Sequence, residues 1–395
     1  MFTHLAEPPQ DPILGLARLF AADPSPHKVD LGIGVYKDGQ GDVSILPSVK
    51  AAEAWLLANQ HSKRYLSSAG NADYNRLIRD LLFGQGTDLN GRARTVQAPG
   101  GTGALRLAAE FLRRLRPGGR IFIPDPTWAN HRAIFTAAGH EVVTYPYYDV
   151  ARGVLRFDAM MEVLGGMDSA DVLLLHGCCH NPSGADPDAG QWAQIADLLA
   201  RTGAFPLVDL AYLGFADGLD ADAAGTRLLA SRLPEMLIAS SCSKNFALYR
   251  ERVGALTLVG ETGAAADLAQ AHLMPVIRTN YSMPPDHGAA IVAHILGDAA
   301  LKAQWREELR QMRGRINGMR SRLVGLLADR CERDFGFLGR QRGMFALLGI
   351  GPEAVARLRD GHHVHITGTG RANVAGLTDD NIERVADGIA AVCRT

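Results

Sequence analysis

The sequence predicts an α/β protein whose central sheet is mostly parallel. Short apolar runs alternate with segments of helical periodicity through the middle of the chain, and this alternation is typical of parallel sheets flanked by helices. The strand-like runs are RIFIP, EVVTY, DVLLLH, FPLVD, EMLIAS and ALTLV, which begin at residues 120, 141, 171, 205, 235 and 255. Ligands of such sheets bind beyond the carboxyl ends of the strands, so site residues are expected directly after these runs.

Helical periodicity marks the segments between the strands and the last third of the chain. GQWAQIADLLART begins at Gly190, and LKAQWREELRQMRGRINGMRSRLVGLLADR begins at Leu301. The second segment is long and charged, and this change of texture predicts a second, smaller α/β domain. We therefore expect a large domain at 46–305, a small C-terminal domain at 306–395, and an N-terminal arm at 1–45 that also contributes to the small domain.

The composition excludes several classes of protein. The 395 residues include 41 basic and 42 acidic ones, for a net charge of −1, so there is no electrostatic case for nucleic acid or an anionic membrane. No apolar run approaches the roughly 18 residues needed to span a bilayer. The start, MFTHLAEPPQDPI, lacks the basic and apolar regions of a secretory signal, and the five cysteines are typical of reduced thiols. These features predict a cytoplasmic protein.

Two segments are candidates for binding an anion. PGGTGALRLAAEFLRRL, from Pro99, leads with glycines into a strong helix, whose free amides and dipole attract anions. It lacks the Gly-Lys-Ser/Thr of a P-loop, and a plain glycine turn is the alternative. The second segment, SCSKNFALYRER, places Lys244 between serines and Arg252 eight residues later. Lys244 could be a solvated loop residue or a nucleophilic amine beside an anion site.

Polar or aromatic residues follow three other strand-like runs. Asp209 ends FPLVD, and a buried carboxylate is costly unless it is paired, so it either caps the structure or faces a cation. Asn181, in HNPSG, could form a turn or donate to a ligand oxygen. Trp128, after RIFIP, could belong to the core or stack on a planar ligand. Tyr212 follows Asp209 by three residues.

Two histidine-rich stretches raise the question of a metal. The spacing in HGCCHNPSG fits no known zinc pattern, and GHHVHITGTGRANVAG has no matching Asp, Glu or Cys. We therefore expect no metal and assign the second stretch to a solvated loop or strand edge. Arg371, in that stretch, is a candidate for bidentate binding of a carboxylate. The GxSxG motif of serine hydrolases is absent.

Taken together, these candidates describe one ligand, pyridoxal 5′-phosphate. A glycine-led helix start, two serines and an arginine can hold its phosphate, and a lysine can form an imine with its aldehyde. A carboxylate can pair with its protonated ring nitrogen, and an amide and a phenol can bond its phenolic oxygen. In the order of these roles, the residues are Ser241, Ser243, Arg252, Lys244, Asp209, Asn181 and Tyr212, with Trp128 able to stack on the ring.

The chain also resembles the class I aminotransferases, the aspartate and aromatic amino acid aminotransferases of fold type I. The matching motifs, in the family order, are DPILGLARLFAAD, LGIGVYKDGQG, GGTGALR, DPTWANH, HGCCHNPSG, DLAYLGFADG, SCSKNFALYRERVG, YSMPPDHGA, RGMF and GRANVAG, which cover nearly the whole chain. The resemblance implies a large cofactor domain, a small domain built from both termini, and a homodimer. Its active sites would lie at the subunit interface, with the N-terminal arm crossing to the partner.

The resemblance implies a role for each matched residue near the cofactor. Lys244 is the Schiff-base lysine that also moves the proton between the substrate Cα and the cofactor C4′. Asp209 is the partner of the pyridinium, supported by His131 and His176. Asn181 and Tyr212 bond the ring oxygen, and Trp128 lies against the ring. The groups implied around the phosphate are Gly101, Thr102, Ser241, Ser243, Arg252 and, from the neighbouring subunit, Tyr65.

Substrate recognition is implied for a second set. Arg371 would bind the substrate α-carboxylate, with Gly34, Trp128 and Asn181 beside it. Arg278, in VIRTNYSMPP, would be lent by the partner subunit to bind a side-chain carboxylate.

The sequence departs from the usual family pattern at three positions. Gly100 replaces a common serine and removes a hydroxyl donor, and Leu213 replaces a glutamine. Met283 replaces the asparagine usual in aspartate-selective members, which makes the pocket rim more apolar.

The implied activity is ping-pong transamination of Phe, Tyr and Trp, with aspartate and glutamate also accepted and 2-oxoglutarate as acceptor. A dedicated aspartate aminotransferase is the nearest alternative, and a β-lyase or decarboxylase on the same fold is another. A transcription regulator that uses the fold as a sensor would carry a separate DNA-binding domain. The family motifs start near residue 11 and the charge is balanced, and both observations disfavour such a regulator.

Overall fold

A computed structural model of the chain describes residues 2–5, 12–84 and 88–394. Its helices are α1 (Pro12–Ala22), α2 (Pro47–Asn59), α3 (Ala72–Phe83), α4 (Gly100–Leu115), α5 (Asn130–Ala137), α6 (Phe157–Leu164), α7 (Ala189–Thr202), α8 (Leu219–Arg232), α9 (Gly263–Asn280), α10 (His287–Gly297), α11 (Ala299–Arg330), α12 (Pro352–His362) and α13 (Ile382–Cys393). Its strands are β1 (Val29–Asp30), β2 (Ala93–Pro99), β3 (Arg120–Asp125), β4 (Glu141–Pro146), β5 (Tyr148–Asp149), β6 (Val154–Leu155), β7 (Val172–His176), β8 (Phe205–Leu210), β9 (Met236–Ser241), β10 (Val253–Val259), β11 (Phe345–Leu347), β12 (Val364–His365) and β13 (Arg371–Asn373). Within these described ranges, no helix combines the length and apolarity that a membrane crossing requires.

A seven-stranded sheet forms the centre, in the order β2-β10-β9-β8-β7-β3-β4. Only β10 runs antiparallel to its neighbours, so the predicted mostly parallel α/β sheet is confirmed. All six predicted strand runs form strands of this sheet. The central strands β7, β8 and β9 are buried along their whole length, which explains their uninterrupted apolar runs.

Alternate residues of each strand enter two hydrophobic clusters on opposite faces of the sheet. In β7, Val172 and Leu174 join one cluster with α4, α5 and α9, whereas Leu173 and Leu175 join the other. This alternation follows from the two-residue period of a strand and places helices on both faces. Most of the sheet is thereby shielded from water, whereas the edge strand β4 is partly exposed along its length.

The predicted helices are also present. α7 begins one residue before the predicted start because Asp188 caps it: its side chain accepts from the Gln191 amide, and Gln191 returns a bond to the Asp188 amide. Gly203 ends this helix in the left-handed conformation. α11 begins after Asp298, whose side chain accepts from the Leu301 amide at 2.9 Å.

The N-terminal segment packs with the C-terminal one. β1 pairs in parallel with β12, the Leu31 amide donates to the His365 carbonyl, and the Asn373 amide donates to the Leu31 carbonyl. His365 is buried in β12, a strand whose only partner among the described residues is β1, so of the two predicted settings the strand edge is right and the solvated loop is wrong; its Nε2 lies 2.8 Å from Asp23 Oδ2. The hydrogen bond from His365, followed by that from the Ser25 amide, lowers the pKa of Asp23, so this carboxylate ties the N-terminal segment to β12.

The expected domain boundaries stay a prediction. α11 runs without a break across position 305/306. Of the predicted arm at 1–45, residues 1 and 6–11 lie outside the described part of the chain.

Candidate active site

A cavity of about 190 Å³ opens where the parallel strands of the central sheet end. Its walls are Gly34, Gly101, Thr102, Leu105, Trp128, His176, Cys178, Asn181, Asp209, Ala211, Tyr212, Ser241, Ser243, Lys244, Tyr249 and Arg252. The cavity brings together the whole predicted cofactor set except Tyr65, although these residues span more than 150 positions of the sequence. The carboxyl ends of neighbouring parallel strands meet at one edge, which is why distant residues converge here.

A chain of hydrogen bonds lies behind the cavity and fixes its one central carboxylate. Asp209 Oδ2 lies 3.0 Å from His131 Nε2, and Thr127 Oγ1 lies 2.8 Å from His131 Nδ1 and 3.1 Å from His176 Nε2. The Asn181 amide donates to His176 Nδ1 at 3.3 Å. An ionised carboxylate only accepts, so His131 Nε2 carries a proton, and a backbone amide only donates, so His176 Nδ1 carries none.

Asp209 stays ionised in this setting. Burial by itself raises the pKa of its carboxyl, but the hydrogen bond from His131 and the nearby positive charge of Lys244 outweigh burial and leave the pKa lowered. Burial, followed by the charge of His131, lowers the pKa of His176 to about 3, so His176 is neutral near pH 7. The cavity therefore holds one buried negative charge.

Lys244 faces this carboxylate from the loop that follows β9. Burial lowers the pKa of its amine to about 8, Arg252 and Arg371 add to the lowering, and Asp209 opposes it. Its Nζ lies 4.9 Å from the centre of the Tyr212 ring. A neutral amine is a nucleophile and an ammonium is not, so this environment prepares Lys244 for attack on a carbonyl.

The first turn of α4 and the end of β9 form an anion cradle. Ser241 Oγ donates to Ser243 Oγ at 3.0 Å, and Arg252 Nη1 donates to the Tyr249 carbonyl at 2.8 Å. None of the described acidic residues pairs with Arg252. Free helix amides, two hydroxyls and an unpaired guanidinium are the donors that a phosphate accepts.

Arg371 supplies a second buried cation. It is 6% exposed, donates from Nη1 to Asn181 Oδ1 at 3.1 Å and from Nη2 to the Gly32 carbonyl at 2.8 Å, and its Nε has no partner. Its guanidinium lies 4.2 Å from the centre of the Phe345 ring. Burial lowers the pKa of this guanidinium. The described residues offer it no carboxylate, which suits capture of a ligand carboxylate.

Backbone packing explains one predicted glycine and reveals one missed residue. A Cβ on Gly34 would lie 2.7 Å from Phe345 Cζ, so no side chain fits there. Tyr249 was not predicted, yet it lines the cavity and its hydroxyl accepts from the Tyr36 amide at 2.8 Å. Its position five residues after Lys244 was the available signal. This bond ties the 34–36 segment to the lysine loop.

Two predicted residues lie away from the cavity of this chain. Tyr65 is 93% exposed, and Arg278 is exposed near the end of α9. Their roles were predicted for the site of a neighbouring subunit, so they stay predictions for a single chain.

The comparisons with known proteins agree with this geometry. A family model described as aminotransferase class I and II matches residues 26–389. The chain belongs to this family. The aminotransferase is 48% identical to the aspartate aminotransferase of Escherichia coli (strain K12), over 99% of this chain and 100% of that protein. It is 46% identical to the aromatic-amino-acid aminotransferase of Pseudomonas aeruginosa, over 99% of each chain.

A solved structure confirms the predicted fold type I architecture. The aromatic-amino-acid aminotransferase from Burkholderia pseudomallei, described as covalently bound to pyridoxal phosphate, matches with a TM-score of 0.97 and 44% identity, covering 100% of this chain and 99% of that one.

The structure shows which residues surround two of the three positions that depart from the family pattern. Gly100 has φ +74°, and a side chain there would collide with the guanidinium of Arg252. The Met283 sulfur accepts from the Leu66 amide at 3.3 Å, next to Tyr65. Glycine at 100 thus leaves room for the arginine of the cradle, and Met283 presents an apolar thioether beside the segment that carries Tyr65.

The lowered pKa of Lys244 predicts its reactivity with pH. In the ligand-free aminotransferase, the rate of reductive methylation of Lys244 by formaldehyde and cyanoborohydride should rise with pH with a midpoint near 8, because the amine loses its proton there. The ordinary pKa of a lysine side chain is about 10.4. Peptide-resolved mass spectrometry measures both, with exposed Lys50 as internal control. Identical pH profiles for the two lysines would contradict the burial argument.

Proposed function

We propose that this aminotransferase uses pyridoxal 5′-phosphate to move the amino group of aromatic amino acids to 2-oxoglutarate, and that it also accepts aspartate and glutamate. The observation that carries the proposal is one cavity in which a Lys244 amine of low pKa faces an ionised, buried Asp209. Arg252 and Arg371 flank this pair, and the described residues offer neither arginine a carboxylate.

The residues fit the cofactor at each of its ends. The cradle of Gly101, Thr102, Ser241, Ser243 and Arg252 suits a phosphate, and a side chain at Gly100 would displace the arginine. Asp209 suits a protonated ring nitrogen, and Asn181 and Tyr212 suit the ring oxygen. When bound, the cofactor supplies an aldehyde for the amino group and a conjugated ring that withdraws electrons from the substrate α-carbon.

The residues of the chain then do three things. Lys244 would hold the cofactor covalently at rest and, once released, would take the proton from the substrate Cα and deliver it to the carbon of the former aldehyde. Asp209, fixed by His131, would keep positive charge on the ring nitrogen. Arg371 holds the substrate α-carboxylate with Asn181 and so orients the Cα–H bond.

We propose that a second copy of the chain completes the site. Tyr65 would reach the partner's phosphate and Arg278 would bind a side-chain carboxylate there. The exposure of both residues, and of large apolar side chains such as Trp55 and Leu57 in α2, supports a surface that a partner covers. The cytoplasmic location stays a prediction.

A dedicated aspartate aminotransferase is the alternative. The Escherichia coli relative bears that name at 48% identity, and the Pseudomonas aeruginosa relative bears the aromatic name at 46%. Met283 favours the aromatic assignment because its thioether stands where aspartate-selective members usually have an asparagine, which would make the rim of the substrate pocket more apolar.

The decisive experiment measures kcat/KM for phenylalanine, tyrosine and aspartate with 2-oxoglutarate. We expect all three to react and the aromatic donors to be preferred. Purified protein reconstituted with pyridoxal phosphate should be yellow and should lose the covalent link, and nearly all turnover, in Lys244→Ala. Reaction with aspartate alone would establish the alternative, and full turnover by Lys244→Ala would remove the lysine from the mechanism.

Asp209→Asn keeps the size of the side chain but removes its charge. We expect kcat to fall by about a hundredfold or more, equivalent to at least ~2.7 kcal/mol of transition-state stabilisation. Asp171→Asn is a matched control, because Asp171 is equally buried but pairs with Arg120 at the opposite end of β7. That control should lower the melting temperature and leave kcat near wild type. A loss below about tenfold in Asp209→Asn would make Asp209 a structural cap.

Variants of Arg278 and Arg371 should distinguish recognition of the substrate side chain from recognition of its α-carboxylate. Arg278→Leu should lower kcat/KM for aspartate by a factor equivalent to roughly 2–5 kcal/mol. It should leave kcat/KM for phenylalanine unchanged or improved, because a long arginine can swing to solvent when a ring enters. Arg371→Leu should damage both substrates, since both present an α-carboxylate. Equal damage to phenylalanine and aspartate by Arg278→Leu would refute the swinging-arginine explanation.

A further inference from the structure

Two adjacent thiols lie in the loop that follows β7, at the wall of the active-site cavity. Cys178 and Cys179 are 4% and 2% exposed, and both are free. Their Sγ atoms and a carboxylate oxygen of Asp222 all lie within 4.8 Å of one another. Cys179 has φ +52°, so the backbone leaves the extended form that would turn successive side chains to opposite faces. The two thiols are therefore close enough for one ligand atom to bridge them.

Asp222 is not available as a third ligand. Its Oδ2 accepts from the Gly214 and Ala216 amides at 2.8 and 3.0 Å, and its Oδ1 accepts from the Asp217 and Gly218 amides at 2.8 and 3.1 Å. Two amides at each oxygen occupy all four lone-pair sites of the carboxylate. A hard cation that needs oxygen ligands is thus disfavoured, and a dithiol remains.

Both thiols are protonated near neutral pH. The hydrogen bond to Cys179, and then burial, raise the pKa of Cys178 well above its ordinary value. Burial raises the pKa of Cys179 to about 11. A metal cation would need thiolates, so its binding would have to release protons against this preference. A ligand that condenses with neutral thiols and leaves no charge buried fits better.

Cys178 can be approached from two sides. It lines the active-site cavity and also a second cavity of about 490 Å³, whose other walls include Gly177, Trp192 and Asp217. A small apolar group attached to a bridging atom could occupy the second cavity against the Trp192 ring. Cys178 therefore lies on the partition between two cavities, with Cys179 next to it in the chain.

A buried cation next to the pair has hydrogen-bond donors that are not used. Arg320 is 3% exposed, and its Nη2 donates to the Gly343 and Phe345 carbonyls, whereas Nε and Nη1 have no hydrogen-bond partner. Cys179 packs on Gly343, where an added Cβ would lie 2.8 Å from its Sγ. The charge of Arg320 acts on Cys179, and no described carboxylate pairs with this arginine. Free donors beside the thiols suit an approaching neutral oxygen ligand.

We propose that Cys178 and Cys179 form a binding site for trivalent arsenicals, and that occupancy of this site inhibits the aminotransferase. A hydrated monosubstituted arsenical, R–As(OH)2, would condense with the two S–H groups. Two As–S bonds form, two As–O bonds break and two water molecules leave. Arsenic stays trivalent, no oxidant is needed, and the product is neutral.

Inhibition follows from the position of the pair in the chain. The segment 176–181 carries His176 and Asn181 on either side of the two cysteines, and both residues line the active-site cavity. Bridging the thiols would constrain this segment and displace the Cys178 wall. The His176 end of the hydrogen-bond chain to Asp209 would move with it.

The test uses phenylarsine oxide with the cofactor-loaded protein in an excess of 2-mercaptoethanol, which competes away arsenic held by single thiols. We expect one phenylarsenic group per chain by intact mass, located on the proteolytic peptide that contains both cysteines. Transaminase activity should be lost in parallel, and 2,3-dimercaptopropanol should restore it. Cys178→Ala and Cys179→Ala should each lose about a hundredfold or more in apparent affinity, because one thiol forgoes the second, intramolecular bond.

The double variant Cys331→Ser/Cys393→Ser is the matched control, since these two cysteines are the more exposed thiols of the described chain. It should bind and be inhibited like the wild type. No bound arsenic in the wild type, arsenic on Cys331 or Cys393, or unchanged binding in Cys179→Ala would each overturn the proposal. Mass and peptide mapping are read without an activity assay, so this result is independent of the substrate assignment.

Discussion

The buried carboxylate of Asp209 is the contact on which the active-site cavity depends. It is the one negative charge in a cavity that also holds Lys244 and Arg252, with Arg371 beside it. Burial raises the cost of the charges on Asp209 and Arg371, and none of the described acidic residues pairs with Arg371 or with the exposed Arg252. Positive charge therefore exceeds negative charge in the cavity. Ligands that carry anionic groups at two separated points, such as a phosphate and a carboxylate, complement this distribution.

The same carboxylate is held by contacts that cross several strands. His131 follows β3 at the start of α5, His176 ends β7, Asp209 lies in β8, and Thr127 joins the two imidazoles. The Asp209 carboxylate only accepts and the Asn181 amide only donates, so the two ends of this chain fix a proton on His131 Nε2 and leave His176 Nδ1 without one. The sheet therefore sets the proton positions of these imidazoles as well as the positions of their rings.

The lysine loop is anchored to α11 by Trp305, whose Nε1 donates to the Asn245 carbonyl at 2.8 Å.

Several local patterns determined their elements without help from the rest of the fold. The apolar runs that became β7, β8 and β9 are buried on both faces, so a continuous run was the correct signal. The capping residue Asp188 starts α7 one residue before the predicted position. β2 was missed because ARTVQAP mixes polar and apolar residues at the sheet edge. Its neighbour β10 supplies its ladder, and no local pattern reveals that pairing.

By itself, the sequence determined the strand–helix alternation, the residue types that bind phosphate and form imines, and the positions of those residues at strand ends. Only the tertiary structure decided which of them share a cavity, because strand order is set by contacts between distant segments. It also decided that Tyr249 joins the wall, that His365 is buried against Asp23, and that Gly100 makes room for Arg252. Each of these depends on a side chain from another element, whose approach only the packed chain establishes.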